Sequence, residues 1–158
     1  MFTRLASLAA IAAVAITVAV SGQSRAAPEN GVVRVKSAYN FSETVERLKA
    51  DIKAKKIMIF NEIDQSKLAA DAGIKLRPST LLVFGNPPLG TQFLTSNPNS
   101  GLDWPVRLLV IQDEVGAVWT VYTDFSWIAE RHGIKDRKDQ FAMASGVVAS
   151  ITSSVKSK

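Results

Sequence analysis

The sequence predicts an α+β domain, with an antiparallel sheet covered by helices on one face. Strand-like runs follow one another in the middle of the chain, at "STLLVF", "VRLLVIQ" and "VWTVYTD". Two stretches of helical periodicity flank that region, one early and one at the C-terminus. No internal repeat and no second domain is visible in the 158 residues.

Taken in order, the chain opens on a basic start, Met1 to Arg4, followed by the apolar run "LASLAAIAAVAITVAV" from Leu5 to Val20. Ser24-Arg25-Ala26 then supplies the small residues at −3 and −1 of an export cleavage site. The alternative is an uncleaved anchor, the one way this chain would meet a membrane. At 16 residues the run falls short of the ~20 that span hydrocarbon, which favours a signal peptide over 1–26 and a single domain over 27–158. The expected location is periplasmic or secreted.

"VVRVKSAY" predicts a first strand. Asn40 then reads as a helix cap with Glu43 three residues on, and Phe41, Val45, Leu48 and Ile52 form one apolar face. "IMIFNEI" is a second strand. Asp64 caps a short helix, "QSKLAADA", with Ile63 and Leu68 at staple positions and Gly73 as its stop. After the third strand come a glycine–proline loop and the turn-rich "SNPNSGLDWP". "DEVGA" joins the next two strands as a hairpin turn, with Gly116 at the position of positive φ. From about Lys138, Phe141, Ala144, Val148, Ile151 and Val155 mark a last amphipathic helix.

Charge and composition exclude several functions. Removal of Arg4 and Arg25 with the signal leaves 17 basic against 14 acidic residues, a net +3. "KAKK" from Lys53 is the solvated end of a helix, and no aromatic-studded basic stripe marks a nucleic-acid site. The absence of cysteine excludes disulfides, thiol nucleophiles and thiolate metal sites.

Candidate chemistry is sparse. Gly85-Asn86-Pro87-Pro88-Leu89-Gly90-Thr91 has the glycine spacing of a phosphate loop but lacks the lysine after the second glycine. Pro87 and Pro88 also have no N–H to point at phosphate, so the stretch reads as a stiff turn presenting Asn86 and Thr91. His132, the lone histidine, sits at a helix end, where a cap or an acid/base role is open to it. A single histidine makes a zinc site improbable, and neither metal nor cofactor is expected. Glu62, Asp64 and Asp71 are the densest acidic group, better read as cap and solvated surface than as a cation site. Asp103 and Arg107 are spaced to pair at a strand entry, with Trp104 between them.

Several of these stretches, taken together, resemble the domain of unknown function 302 family. They are "NEID", "AGIKLRPSTLLVFGNPPLGT", "GLDWPVRLLVIQDEVGAVWTVY" and "IAERHGI", running from about Val32 to Ile134. The resemblance implies a TBP-like fold of β-α-β4-α order, here with an extra short helix, and a homodimer. It places Asp64, Asn86, Thr91, Asp103, Arg107 and His132 on the family pattern. It also marks three departures: Gln65 where histidine is usual, Pro88 where lysine is usual, and Trp104 where leucine is usual. The function expected is a non-enzymatic module binding a small molecule or a partner, with Asp64, Asn86, Thr91, Asp103, Arg107 and His132 as candidate ligand residues. The alternatives are an enzyme using His132 with Asp64 or Asp103 as acid and base, and a purely structural or oligomerisation module.

Overall fold

A computed structural model describes residues 30–157. The segment read as a signal peptide, with its cleavage point after Ala26, lies outside the described residues. The elements are β1 (Val32–Lys36), α1 (Phe41–Ala54), β2 (Met58–Asp64), α2 (Gln65–Asp71), β3 (Ser79–Gly85) and α3 (Pro87–Ser96). A 3₁₀ turn (Pro98–Leu102), β4 (Val106–Gln112), β5 (Val118–Thr123), α4 (Phe125–Arg131) and α5 (Lys138–Ser153) follow. The strands form one antiparallel sheet in the order β1-β5-β4-β3-β2. Its two edges are therefore the first two strands in sequence, and α1 crosses the sheet to join them.

Local chemistry explains most boundaries. Asn40 Oδ1 accepts the Glu43 N–H at 2.9 Å and starts α1. Asp64 does the same for Lys67 N–H at 2.8 Å, ending β2 and starting α2. Gly73 and Gly116 take positive φ at the helix stop and the hairpin turn that their positions predict. The expected staple does not form as a buried contact, because Leu68 stays 59% exposed. Helix α2 buries no residue and is held by its cap and by hydrogen bonds to Ser79 instead.

Alternation divides the sheet into two unlike faces. Leu82, Phe84, Leu108, Val110 and Val118 point to the helical side and are buried with Val45, Leu48 and Ile52 of α1. Phe141, Ala144, Val148 and Ile151 of α5 complete that core, followed by Val155 beyond its end. Their neighbours in the strands, Leu81, Val83, Leu109, Ile111 and Val121, face the other way and are only half-buried. Lys49 ties α1 to β2 through Glu62 at 2.7 Å, and its hydrogen bonds to Glu62 and Glu46 hold the ammonium above the usual lysine range.

Two helices arise where the sequence reading expects loops. The "GNPPLGT" stretch opens α3: Asn86 is the cap, accepting the Leu89 N–H at 3.3 Å, and both prolines occupy the first turn. The N–H groups that prolines lack have no intrahelical partner at that position, and their fixed φ suits it. Asn86 is extended, as a residue before proline prefers, whereas Pro87 is helical despite preceding Pro88. Tertiary packing offsets that local cost. Phe93 of α3 stacks on Phe141 of α5 with centroids 4.2 Å apart, and Phe125 of α4 lies 6.4 Å from both. The second unexpected element is the 3₁₀ turn, capped by Asn97.

Three carboxylates sit below their usual range because hydrogen bonds favour the ionised form. Asp64 is held by the Ser66 hydroxyl and the Lys67 N–H, Asp113 by the Trp119 indole, and Asp136 by the Ser96 hydroxyl. A carboxylate lowered on folding stabilises the fold above its unfolded value and loses that contribution as pH falls through its folded value. Stability to urea is therefore expected to be level near neutrality and to fall once pH drops below about 4. Asp113→Asn should flatten that acid limb, and an unchanged limb in the variant would rule out its share.

Candidate functional site

The end of the sheet where β3 finishes and β4 begins carries both polar and apolar features. The 3₁₀ turn closes with the Asp103 N–H on the Ser100 carbonyl at 2.9 Å, and a cis Trp104–Pro105 bond leads into β4. That corner buries Asp103, whose side chain is 5% exposed. Its carboxylate accepts from three cationic or imidazole donors. His132 Nε2 lies 2.6 Å from Oδ2, Arg131 Nη1 lies 3.0 and 3.2 Å from Oδ2 and Oδ1, and Arg107 Nη2 lies 3.2 Å from Oδ1. A carboxylate beside two guanidiniums acts as acceptor, so Nε2 carries the imidazole proton in this pair. Arg107 also donates to the Leu102 carbonyl.

Arg107 comes from β4, and the other two donors come from the end of α4. Asp124 caps that helix by accepting from the Ser126 and Trp127 N–H groups, and His132 is its C-cap. Gly133 turns the chain at positive φ, and Ile134 N–H returns to the Ala129 carbonyl at 2.9 Å. Arg131 reaches outward over the Trp127 ring, 5.4 Å from its centroid. Asn97 Nδ2 donates to the His132 carbonyl at 2.8 Å, joining the 3₁₀ turn to the same corner. The His132 side chain is 6% exposed. The space beside Asp103, between Val106, Arg107, Thr123 and Ile128, measures about 10 Å³, at the limit for one water. This arrangement fixes a corner of the fold and gives a substrate no access to the imidazole.

Beyond Val106 and Phe125 lies a groove of about 460 Å³ between α3, the sheet and α5, within the size range of small-molecule sites. Its lining is mostly apolar: Leu89 and Phe93 of α3, Phe84, Trp104, and Met143 and Val147 of α5. Gly85, Asn86 and Gly90 form the wall nearest the start of α3. The glycines are explained by Trp104. A Cβ at Gly90 would stand 1.8 Å from Trp104 Nε1, and one at Gly85 would stand 3.2 Å from it. The indole lies on the backbone at both positions, with Phe60 at its edge, 6.1 Å between centroids.

The residues singled out in the sequence divide accordingly. Asp103, Arg107 and His132 meet, and the spacing of Asp103 and Arg107 does produce the expected pair. Asn86 lines the groove while capping α3. Thr91 is spent within α3, its hydroxyl donating to the Pro87 carbonyl at 2.7 Å. Asp64 lies at the opposite end of the sheet: it pairs with Thr80, whereas the Asp103 corner adjoins Phe84 and Val106. Glu62 and Asp71 pair with Lys49 and Lys67 rather than with each other. Gln65, one of the departures, receives a hydrogen bond from Ser79 Oγ at 2.7 Å and braces α2 against β3. Arg131 and, among the α5 residues of the groove, Met143, Gly146, Val147 and Ser150 were not singled out. Arg131 adjoins His132 in "ERHG" and so left a trace in the sequence, whereas Gly146 lies off the apolar stripe of the last helix and left none.

Comparison with known proteins agrees with this architecture. The family model described as "Domain of unknown function DUF302" matches residues 33–151, and the chain belongs to that family. A crystal structure of an uncharacterized conserved DUF302 protein from Bacillus stearothermophilus superposes with a TM-score of 0.72. The match covers 79% of this chain and 98% of that one at 18% identity, a likeness of fold. Among curated proteins, fluoride-specific ion channel FluC 1 of Brucella suis is 37% identical over 106 residues, 67% of this chain and 42% of that protein. The FluC 1 of Brucella abortus is 37% identical over the same length, 39% of its own. The chain thus spans about two fifths of the curated relatives it matches.

The Asp103 corner makes a direct prediction. Asp103→Asn leaves two guanidiniums without their buried counter-charge. It is expected to destabilise the fold by about 3 kcal/mol, the low end for a broken buried pair because both arginines are half-exposed. Urea denaturation measures it, and a loss within experimental error of zero would remove Asp103 from this structural role.

Proposed function

We propose that this domain is a non-catalytic binding module, acting outside the cytoplasm as its N-terminal segment predicts, whose ligand seats in the groove between α3 and α5. One observation carries the reading: a groove of about 460 Å³ with a largely apolar lining and a few polar groups. The enzyme alternative draws less support, since His132 and Asp103 are both buried and neither lines the groove. The channel named for the Brucella relatives is a property of whole proteins of which this chain spans 42% and 39%. Among the described residues no helix is long and apolar enough to cross a membrane.

The test uses N-phenyl-1-naphthylamine, a neutral apolar dye that brightens on leaving water. Saturable binding to the wild-type protein is expected. Gly146 lines the groove, and a Cβ there would meet no protein atom within 4 Å, so Gly146→Leu should fill the groove without strain. That variant is expected to melt no lower than the wild type and to bind the dye about tenfold more weakly. Absent or equal dye binding in the two proteins would sink the groove reading.

The sheet supports the homodimer proposal separately. Leu81, Val83, Leu109, Ile111 and Val121 form a half-buried apolar surface on the face away from the helices, and a second copy of the same face would complete its burial. Light scattering after size exclusion is expected to show a dimer that Leu109→Lys converts to monomer. A wild-type monomer at tens of micromolar would exclude a stable dimer of this kind.

A further inference from the structure

We infer that the groove takes an apolar monocarboxylate, its hydrocarbon lying along α5 over Gly146 and its carboxylate at the Asn86–Trp104 end. The inference rests on the groove being a ligand site and names the class of ligand.

The polar groups of the groove are few. No aspartate or glutamate lines it, and the polar side chains that do are Lys55, Asn86, Ser150 and the Trp104 indole. Asn86 spends its oxygen on the Leu89 N–H, which leaves its Nδ2 as a donor with no protein acceptor among the described residues. Trp104 Nε1, a donor only, lies over Gly85 and Gly90, both on the groove wall. Lys55 belongs to the same end, because it precedes Ile57 and β2, and Met58 of β2 pairs with Gly85 beside Asn86. Its ammonium is 2.6 Å from Asp51, so it adds a part-neutralised positive charge. A head group seated there meets N–H donors and a cation, and no carboxylate on the groove lining itself. That suits a carboxylate, gives a hydroxyl less, and opposes an ammonium.

The α5 wall, mostly apolar, suits hydrocarbon. Met143 is 59% exposed on the groove rim, a flexible apolar side chain able to fit varied shapes. Gly146 lies inside α5, where glycine costs about 1 kcal/mol relative to alanine. Packing of the protein does not require it, since no atom approaches the Cβ position within 4 Å. Its effect is to keep the wall low along the groove, which an extended chain needs.

Displacement of the bound dye by three amphiphiles of equal length distinguishes the heads. Decanoate is expected to displace it at about one tenth the concentration of decan-1-ol, with decylammonium weakest. Asn86→Asp keeps an oxygen to cap α3 but puts a like charge beside the carboxylate, and should erase the preference for decanoate over decan-1-ol. Asn86→Ser, which also caps, removes the amide donor and should reduce the same preference. If the dye binds and the three amphiphiles displace it equally, the monocarboxylate inference is overturned while the groove reading stands. A preference for decanoate that survives both substitutions would equally overturn the placement of its head. Failure of the dye itself to bind would instead count against the groove reading.

Discussion

The carboxylate of Asp103 joins the 3₁₀ turn, the start of β4 and the end of α4 through contacts with Arg107, Arg131 and His132. Burying a charge is costly unless its lone pairs are filled, and here both oxygens accept hydrogen bonds from outside their own backbone segment. The surrounding geometry follows from that requirement. Helix α4 must end where it does for Arg131 and His132 both to reach Asp103. The 3₁₀ turn must close on itself so that Asp103 points beneath β4. Asn97 fastens the turn to the His132 carbonyl, so two loops with little apolar content are fixed by polar contacts.

Trp104 follows Asp103 directly, and the same corner therefore aims its indole across the sheet end onto Gly85 and Gly90. Helix α3 is held close to the sheet at its start because no side chain intervenes at either glycine. Farther along, Phe93 carries the helix onto Phe141 of α5. A helix pinned at the start by backbone contact and farther on by an aromatic stack leaves space between, and the groove occupies it. Its volume and lining are thus a consequence of how α3 is supported.

The buried polar corner and the open apolar groove divide the labour between them. His132 looks like a catalytic residue in sequence because it is the lone histidine, yet its imidazole is enclosed and its Nε2 engaged by Asp103. A group in that position stiffens the wall that carries Trp104. The groove, by contrast, has donors without acceptors of their own and a low wall at Gly146, the two features on which the proposed ligand reading rests. Membership of the DUF302 family and the fold shared with the Bacillus stearothermophilus protein supply the frame in which both features sit.

The sequence by itself determined the strands, the caps at Asn40 and Asp64, the hairpin at Gly116 and the apolar faces of the first and last helices. Each depends on residues within a few positions of one another, so periodicity and capping chemistry are enough to specify them. It also allowed Asp103 and Arg107 to pair, since they lie four apart across a strand entry, and the structure makes that pair. Helix α3 was beyond it, because two prolines and a glycine argue against a helix until Phe93 finds Phe141 and Trp104 covers Gly90. The joining of Asp103 to His132 was beyond it too, with 29 residues between them. Only the tertiary structure decided those contacts, because the sheet order places the start of β4 beside the end of α4, and burial, not local preference, selects the partners.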